Sequence, residues 1–504
     1  ILLMFFSNRG EKNKKKLIKH LFPFLIIGCW LALSQAPFSF TYLGLLALPT
    51  MAFFWLKFSE SSLKSGLAGG VFGLGYFSIT MFWLMEPFFV GDAKYLPWLA
   101  PFALFLVSIY LSFFWAVAFY LATFFGGKSR SKKILNLIFF LTLGELGRSL
   151  LFGGFPWGLI SHSLIDTPFA QLTSVFGPYF LVFFVYLFCF SMVISKSSFF
   201  YILVMILLLY FTSFSMIGYK LKPSEGVHNV KLIQPNIEQK EKWNEERFDE
   251  FYNRYIALGT KMPIGDIVIL PETVLATNSK EIQSLAQKLS RDLNNNVIIG
   301  VRRLNNKERK LYNSILFINN AGAITSIYDK QHLVPFGEYF PFLNLFISEN
   351  NQKIYGFSKG NEADEIDFLD MPTVLPAICY EIIFSVEIGE RFQNAEWILN
   401  LTNDAWFGHF SGPQQHLNQA KMRAIELGIP IIRVANTGIT AVILPDGSLS
   451  DILPLNKIGS LNVTLPARTS KTIYSVFGPR NWLLLLIAVS FFCLIAINYK
   501  KFNI

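Results

Sequence analysis

Charged side chains are scarce in this chain: Asp, Glu, Lys and Arg make up 15% of its 504 residues, while apolar types reach 52%. An ordinary soluble protein has about 25% charged residues, so the deficit points to a membrane. Cysteine is sparse too. Cys29, Cys189 and Cys493 lie in long apolar runs, where a small buried hydrophobe is the default reading. Cys379 is alone in the polar half, so no disulfide can form within that half. No CxxC, zinc-type Cys/His cluster, internal repeat or long low-complexity segment is present. His332 and His416 each stand in a Gln-His-Leu triplet with no third ligand nearby, so neither is assigned a metal. The formal charge of +10 gathers into no basic, aromatic-studded stripe, which sets nucleic acid aside as a partner.

What the chain does have is apolar length. A spanning helix needs roughly 20 mainly apolar residues. Candidate runs fall near 21–36, 42–56, 67–90, 98–125, 134–151, 171–194, 199–217 and 482–497, about eight in all. Basic residues orient them. With a cytoplasmic N-terminus, Lys57, Lys64, the cluster 128–133, Lys196 and Lys500–Lys501 all fall inside. The segment from about 220 to 480 then lies outside the cytoplasmic membrane. Expected domains are a membrane domain over 1–219 with about seven spans, an α/β domain over 220–468, and a final span with a cytoplasmic tail over 469–504. Glu145 and Arg148, three apart on one helix face, are either functional or an ion pair that fixes helix packing. The Gly/Pro/Trp-rich stretch 151–171 reads as an outer-face loop. It either lines lipid entry or, preferably, is an aromatic anchor at the interface.

The segment 220–480 has a different pattern. Short β-rich runs at 230–234, 267–270, 297–301, 314–318, 324–328, 373–378, 397–401, 431–434 and 440–443 alternate with helical candidates at 244–258, 281–294 and 413–427. That alternation predicts an α/β domain on a covered sheet. Four of the runs lead directly into reactive side chains: Glu272, Lys330, Cys379, and Asn403 with Asp404. Loops at strand ends carry function because a rigid sheet positions them. A thiol, a carboxylate and an ammonium together suit acyl transfer. The thiol attacks, the carboxylate moves protons, and the ammonium with a backbone N–H holds the developing oxyanion. Each residue alone is weak support, since a lone cysteine after a strand is more often packing.

The wording of the motifs adds to this. Leu270-Pro-Glu-Thr273, Tyr328-Asp-Lys-Gln-His-Leu-Val-Pro-Phe-Gly-Glu-Tyr-Phe-Pro341 and Ile378-Cys-Tyr-Glu381 resemble the signature blocks of the nitrilase superfamily. More narrowly, they resemble the apolipoprotein N-acyltransferase family. Asn403-Asp-Ala-Trp-Phe-Gly408, Gly412-Pro-Gln-Gln-His-Leu417, Ala424-Ile-Glu-Leu-Gly428, Arg433 and Asn436-Thr-Gly438 look similar to it as well. Glu145-Leu-Gly-Arg148 and Gly154-Phe-Pro-Trp-Gly158 extend the likeness into the membrane half. The chain departs from the family at 342–351, which lacks an expected arginine, and in the acidic stretch 362–370.

The resemblance implies a helical membrane domain with a nitrilase-like αββα sandwich in the periplasm of a bacterial inner membrane. By the same resemblance Glu272 is the general base, Lys330 the oxyanion lysine and Cys379 the nucleophile. Glu338, Tyr380 and Glu381 match supporting residues, and Trp243 matches a tryptophan on a mobile arm. The implied reaction moves an acyl chain from a phospholipid, typically phosphatidylethanolamine, through a Cys379 thioester. The acceptor is the α-amino group of a diacylglyceryl-cysteine apolipoprotein. No cofactor is implied. Because water competes with the amine, apolar cover over Cys379 is expected. Phe336, Phe340 and Phe342 are candidates for it, and Phe357 more plausibly belongs to a core. The competing functions are a membrane-anchored amidase or nitrilase hydrolysing C–N bonds, and a transporter or lipid-binding scaffold with a decayed enzyme domain. The many spans argue against the first, and intact Glu272, Lys330 and Cys379 against the second.

Overall fold

In the computed structural model, residues 11–90, 97–220, 228–260, 267–341, 356–361 and 365–502 are described. The expected Phe342, the whole of the divergent 342–351 loop, and Glu362 and Asp364 of the acidic stretch fall outside them. The chain forms two compact units. One contains the helices up to about 216 and from 480 onward; the other covers 217–479.

The first unit is helical: α1 (Glu11–Ala32), α2 (Ala47–Phe58), α3 (Ser62–Thr80), α4 (Ala100–Gly126), α5 (Arg130–Leu150), α6 (Thr173–Ile194) and α7 (Lys196–Lys220). A final helix, Pro479–Phe502, follows the second unit in sequence. Among the described residues, 5 helices are long and apolar enough to cross a membrane, or 6 if Ser62–Thr80 and Phe82–Val90, bent by 67°, form one span. The remaining two expected runs appear as shorter apolar helices, Leu17–Ala32 and Phe200–Thr212. Packing of α1 on α3 is close enough to demand glycine. A Cβ on Gly75 would lie 2.2 Å from the Leu25 carbonyl oxygen, and one on Gly28 would lie 2.1 Å from that of Phe72.

The Glu145–Arg148 pair is fully buried, 2.6 Å apart. Arg148 also donates to the carbonyls of Phe155, Trp157 and Gly158, and Trp115 donates to Glu145. The pair thus holds the irregular backbone after α5, supplying partners to carbonyls that have none within a helix. Within the stretch 151–171, Trp157 is 0% exposed and Ile160–Leu164 is a buried helical turn, so these residues pack inside the unit, while Phe152 is 86% exposed. Removing one member of a buried pair strands the other charge and costs about 3–5 kcal/mol. Arg148→Met is expected to lower the melting temperature of the detergent-solubilised protein sharply. An unchanged melting curve would contradict this role.

Among the described residues the second unit carries eleven strands. In chain order they are β1 (Asn229–Gln234), β2 (Ile267–Asn278), β3 (Asn296–Asn305), β4 (Lys310–Ile318), β5 (Ile324–Asp329), β6 (Val374–Ile378), β7 (Trp397–Thr402), β8 (Ile431–Ala435), β9 (Thr440–Ile443), β10 (Leu449–Leu453) and β11 (Gly459–Thr464). They form two mixed sheets, ordered β11-β1-β2-β3-β4-β5 and β10-β9-β8-β7-β6. Strands β1, β2 and β3 are mutually parallel, as are β6, β7 and β8. β1 and β2 pack on β7 and β8, so the two sheets face each other. Burial on both faces explains the near-continuous apolar runs of β6, β7 and β8. Helices α8 (Phe248–Gly259) and α9 (Ile282–Leu293) bury Phe251, Tyr255, Ala286 and Leu289 against the outer face of the first sheet. Helix α10 is Ser385–Arg391, and α11 (Gly412–Leu427) covers the second sheet. The result is a helix–sheet–sheet–helix sandwich, as expected.

The edge strands β10 and β11 were not expected from sequence. β11 pairs antiparallel with β1 and completes the first sheet. The unit also continues past 468. Thr469 donates to the Gly428 carbonyl, Thr472 bonds the Glu426 carbonyl, and Tyr474 meets Ser385.

Candidate active site

Three of the expected strand ends hold: Lys330 follows β5, Cys379 follows β6, and Asn403 with Asp404 follows β7. Glu272 is different. β2 does not stop at Leu270 but runs on to Asn278, with its register against β3 broken between Leu270 and Leu275. Glu272 sits on this irregularity, beside Thr273 in the left-handed region (φ 48). Bulges commonly re-aim side chains in this way. Gly300 on β3 permits it, because a Cβ there would lie 2.5 Å from the Pro271 oxygen and 2.7 Å from the Glu272 Cα.

The side chains converge in a buried cluster. Lys330 Nζ donates to Glu338 Oε1 at 2.9 Å and lies 3.9 Å from Glu272 Oε1. Asn313 Nδ2 bridges the two acids, 2.8 Å from Glu272 and 3.1 Å from Glu338. The other Glu338 oxygen accepts from the Val334 N–H. Cys379 is 6% exposed, and its own backbone is left-handed (φ 50). A non-glycine residue in that region costs of order 1–3 kcal/mol and persists only where its surroundings enforce it.

Electrostatics couple the group. Burial pushes the Cys379 thiol well up, the Glu272 charge adds to this, and Lys330 opposes it. The resting sulfur is therefore a thiol that must give up its proton as it attacks. Burial also raises Glu272; Lys330 opposes that shift and Glu338 adds to it. A carboxylate so raised is a better proton acceptor at neutral pH. Burial would lower Lys330, but Glu338 first and Glu272 next hold it above its ordinary range, as an ammonium.

The supporting residues have separable parts. Glu381 is buried, and its carboxylate accepts from Tyr328 Oη, from the Gln331 and His332 N–H groups, and from the Ile378 N–H. It ties the Lys330 segment to the Cys379 turn. Tyr380 packs edge-on against His332 and Phe384. Trp243 is 41% exposed, while its neighbour Lys242 is buried and donates to the Glu272 carbonyl and Thr273 Oγ1. Burial lowers Lys242 to about 8. Cys379 is itself buried, but the described aromatics expected to cover it are not all packed down, and Phe342 lies outside the described residues. Phe336 and Phe340 are 70% and 57% exposed, and Phe357 is half-buried, its N–H on the Glu338 carbonyl.

Sequence reasoning passed over Asn313, Lys242 and the role of His416. Asn313 had a signal, a lone amide inside the apolar strand β4. Cys379, Asp404 and His416 present ligand-type atoms within 4.8 Å of one another. They do not fit a metal, because the imidazole nitrogens already face the Cys379 carbonyl and Asp404, and the second Asp404 oxygen takes Arg433.

Comparison with known proteins followed the same division. Residues 27–191 match the model of the apolipoprotein N-acyltransferase N-terminal domain, and residues 235–474 match that of the carbon-nitrogen hydrolases. An apolipoprotein N-acyltransferase of Rhodopseudomonas palustris is 34% identical over 90% of this chain and 91% of its own length. That of Haemophilus ducreyi is 32% identical over 93% of both. Among solved structures, Saccharomyces cerevisiae Nit3 of the nitrilase superfamily aligns with 52% of this chain and 94% of its own, at 17% identity and a TM-score of 0.35.

Proposed function

The chain belongs to the apolipoprotein N-acyltransferase family, a group of multi-span membrane enzymes of lipoprotein maturation, and from that premise we propose how its own residues carry the reaction. Cys379 attacks the ester carbonyl of a phospholipid, most suitably phosphatidylethanolamine. Its proton passes to Glu272 and on to the leaving oxygen, releasing lysophospholipid and leaving an S-acyl Cys379. The α-amino group of a diacylglyceryl-cysteine apolipoprotein then attacks this thioester. Glu272 takes the amine proton and returns it to sulfur, so the enzyme is regenerated and an amide is formed. Lys330, held protonated, and the Tyr380 N–H stabilise the oxyanion of each step.

The observation that carries this reading is the buried coupling of Cys379 with Glu272 and Lys330. Exposed aromatics add support: Phe336 and Phe340 flank Glu338, Trp406 follows Asp404, and Trp243 follows Lys242. Exposed apolar groups gathered on site-bearing loops mark a contact surface, here for acyl chains. Each buried CH₂ is worth about 0.8 kcal/mol, so lipids are most readily met where they lie. We assign the segment from about 220 to 480 to the periplasmic side of the inner membrane and both termini to the cytoplasm, a reading that the distribution of basic residues supports. The deciding assay supplies phospholipid and a diacylglyceryl lipopeptide. Amide-linked acyl lipopeptide supports the reading; hydrolysis of small amides to acid and ammonia, without transfer, overturns it.

The same reading fixes a pH dependence. Glu338 is one of the charges that raise Glu272. In Glu338→Gln that charge is gone, so Glu272 stays ionised to lower pH. The acidic limb of the kcat/KM profile is expected to move downward in pH, whatever the loss in absolute rate. A limb that stays or moves upward would exclude Glu272 as the group titrating there.

A further inference from the structure

The left-handed backbone of Cys379 needs something to hold it, and the structure shows what does. His416, on α11, points Nε2 at the Cys379 carbonyl oxygen, 3.1 Å away. A carbonyl only accepts, so Nε2 carries the hydrogen and donates it. On the other side of the ring, Nδ1 faces Asp404 Oδ1 at 2.9 Å and Arg433 Nη2 at 3.1 Å. A protonated Nδ1 donates to Asp404, and an unprotonated one accepts from Arg433. Nε2–H is present in both states. The network is anchored in the second sheet, because Arg433, on β8, also donates to Asp404 Oδ2 (2.7 Å), to Asn400 Oδ1 on β7 (2.6 Å) and to the Ile439 carbonyl. All four side chains are buried, and Phe407 meets the imidazole edge-on.

A His beside a Cys invites a thiol–imidazole pair, but this ring has no nitrogen left for the sulfur's proton. What it controls is the peptide after the nucleophile. The Cys379 carbonyl and the Tyr380 N–H belong to one planar trans unit and point in opposite directions. Fixing the oxygen therefore fixes the hydrogen. The Tyr380 N–H opens the turn Cys379–Ile383, and the first N–H groups of a helical turn have no partner within it. We propose that His416 is a positioning residue for acyl transfer. By holding the Cys379 carbonyl, it aims the Tyr380 N–H at the oxygen that becomes negative when the thiol attacks.

This inference rests on the acyl-cysteine reading of the site, and the test separates the two. Two reactions of Cys379 are compared: thioester formation with phosphatidylethanolamine, which needs the oxyanion donor, and alkylation by iodoacetamide, which does not. His416→Gln places an amide N–H near the Nε2 position and keeps the carbonyl bond. His416→Asn reaches only the Nδ1 position and keeps the Asp404 side. His416→Leu fills the space with no donor and serves as a second loss variant. Thioester formation is expected to fall about 100-fold in the Asn and Leu variants and less than about 10-fold in Gln, with alkylation within about 3-fold of wild type throughout. If alkylation falls with acylation, or Asn and Gln behave alike, or no variant slows, His416 is not positioning the peptide. If wild-type protein forms no thioester at all, it is the underlying reading of the site that fails.

Discussion

Cys379→Ser is expected to reduce acylation of a diacylglyceryl lipopeptide by about 10⁴-fold or more, the scale seen when a nucleophile is removed from a catalytic group that works as a unit. The reason lies in the burial of the site. Cys379 already has its thiol pushed well up, mainly by desolvation and then by Glu272. The acid is therefore asked to take a proton from a reluctant donor, and sulfur tolerates this because it is intrinsically nucleophilic. A serine hydroxyl, far less acidic, would face the same desolvation and the same neighbouring charge. The substitution is nearly isosteric, so the fold and the Lys330–Glu338 contact at 2.9 Å should persist. Turnover with phospholipid and lipopeptide is the measurement. A variant within about ten-fold of wild type would mean that another group accepts the acyl chain.

Glu272→Gln is expected to lower turnover by about 10²–10⁴-fold, the range for loss of a positioned general base. The amide keeps the shape of the side chain and can still meet Asn313, whose Nδ2 now lies 2.8 Å from Glu272 Oε1. It cannot accept the thiol proton. The loss should appear in kcat, with KM nearly unchanged, because Glu272 is 7% exposed and offers almost no surface for a substrate to bind. A raised KM with kcat intact would assign Glu272 to binding instead.

Much of this was legible in the chain because burial leaves a simple trace. Strands β6, β7 and β8 are covered on both faces, so each reads as a mainly apolar run, interrupted only by Asn400 in β7 and Arg433 in β8, that leads into a polar loop. Cys379 stands at the end of β6, and Asn403 with Asp404 at the end of β7. β10 alternates half-covered and exposed positions and β11 is largely half-covered or exposed, both at sheet edges, so neither leaves a continuous apolar run. Pro271 read as the end of a strand, since proline has no N–H for a ladder; the structure instead carries β2 through it as an irregularity. The stretch 151–171 was only partly legible, for another reason. Gly, Pro and Trp suit an interfacial anchor and a buried turn equally, and the carbonyls that Arg148 satisfies have no signature in the sequence. His416 was hidden similarly, because its partner is the carbonyl of a residue 37 positions away.

The central claim is a covalent one: an acyl group resides on Cys379 between donor and acceptor. Intact-mass measurement of purified protein incubated with phosphatidylethanolamine, without acceptor, tests it most directly. The account predicts a mass increase of one acyl group, removed by hydroxylamine, discharged by an added diacylglyceryl lipopeptide, and absent from Cys379→Ser. An enzyme that acylates the lipopeptide while its own mass never changes, or whose acyl group maps to another residue, would contradict it.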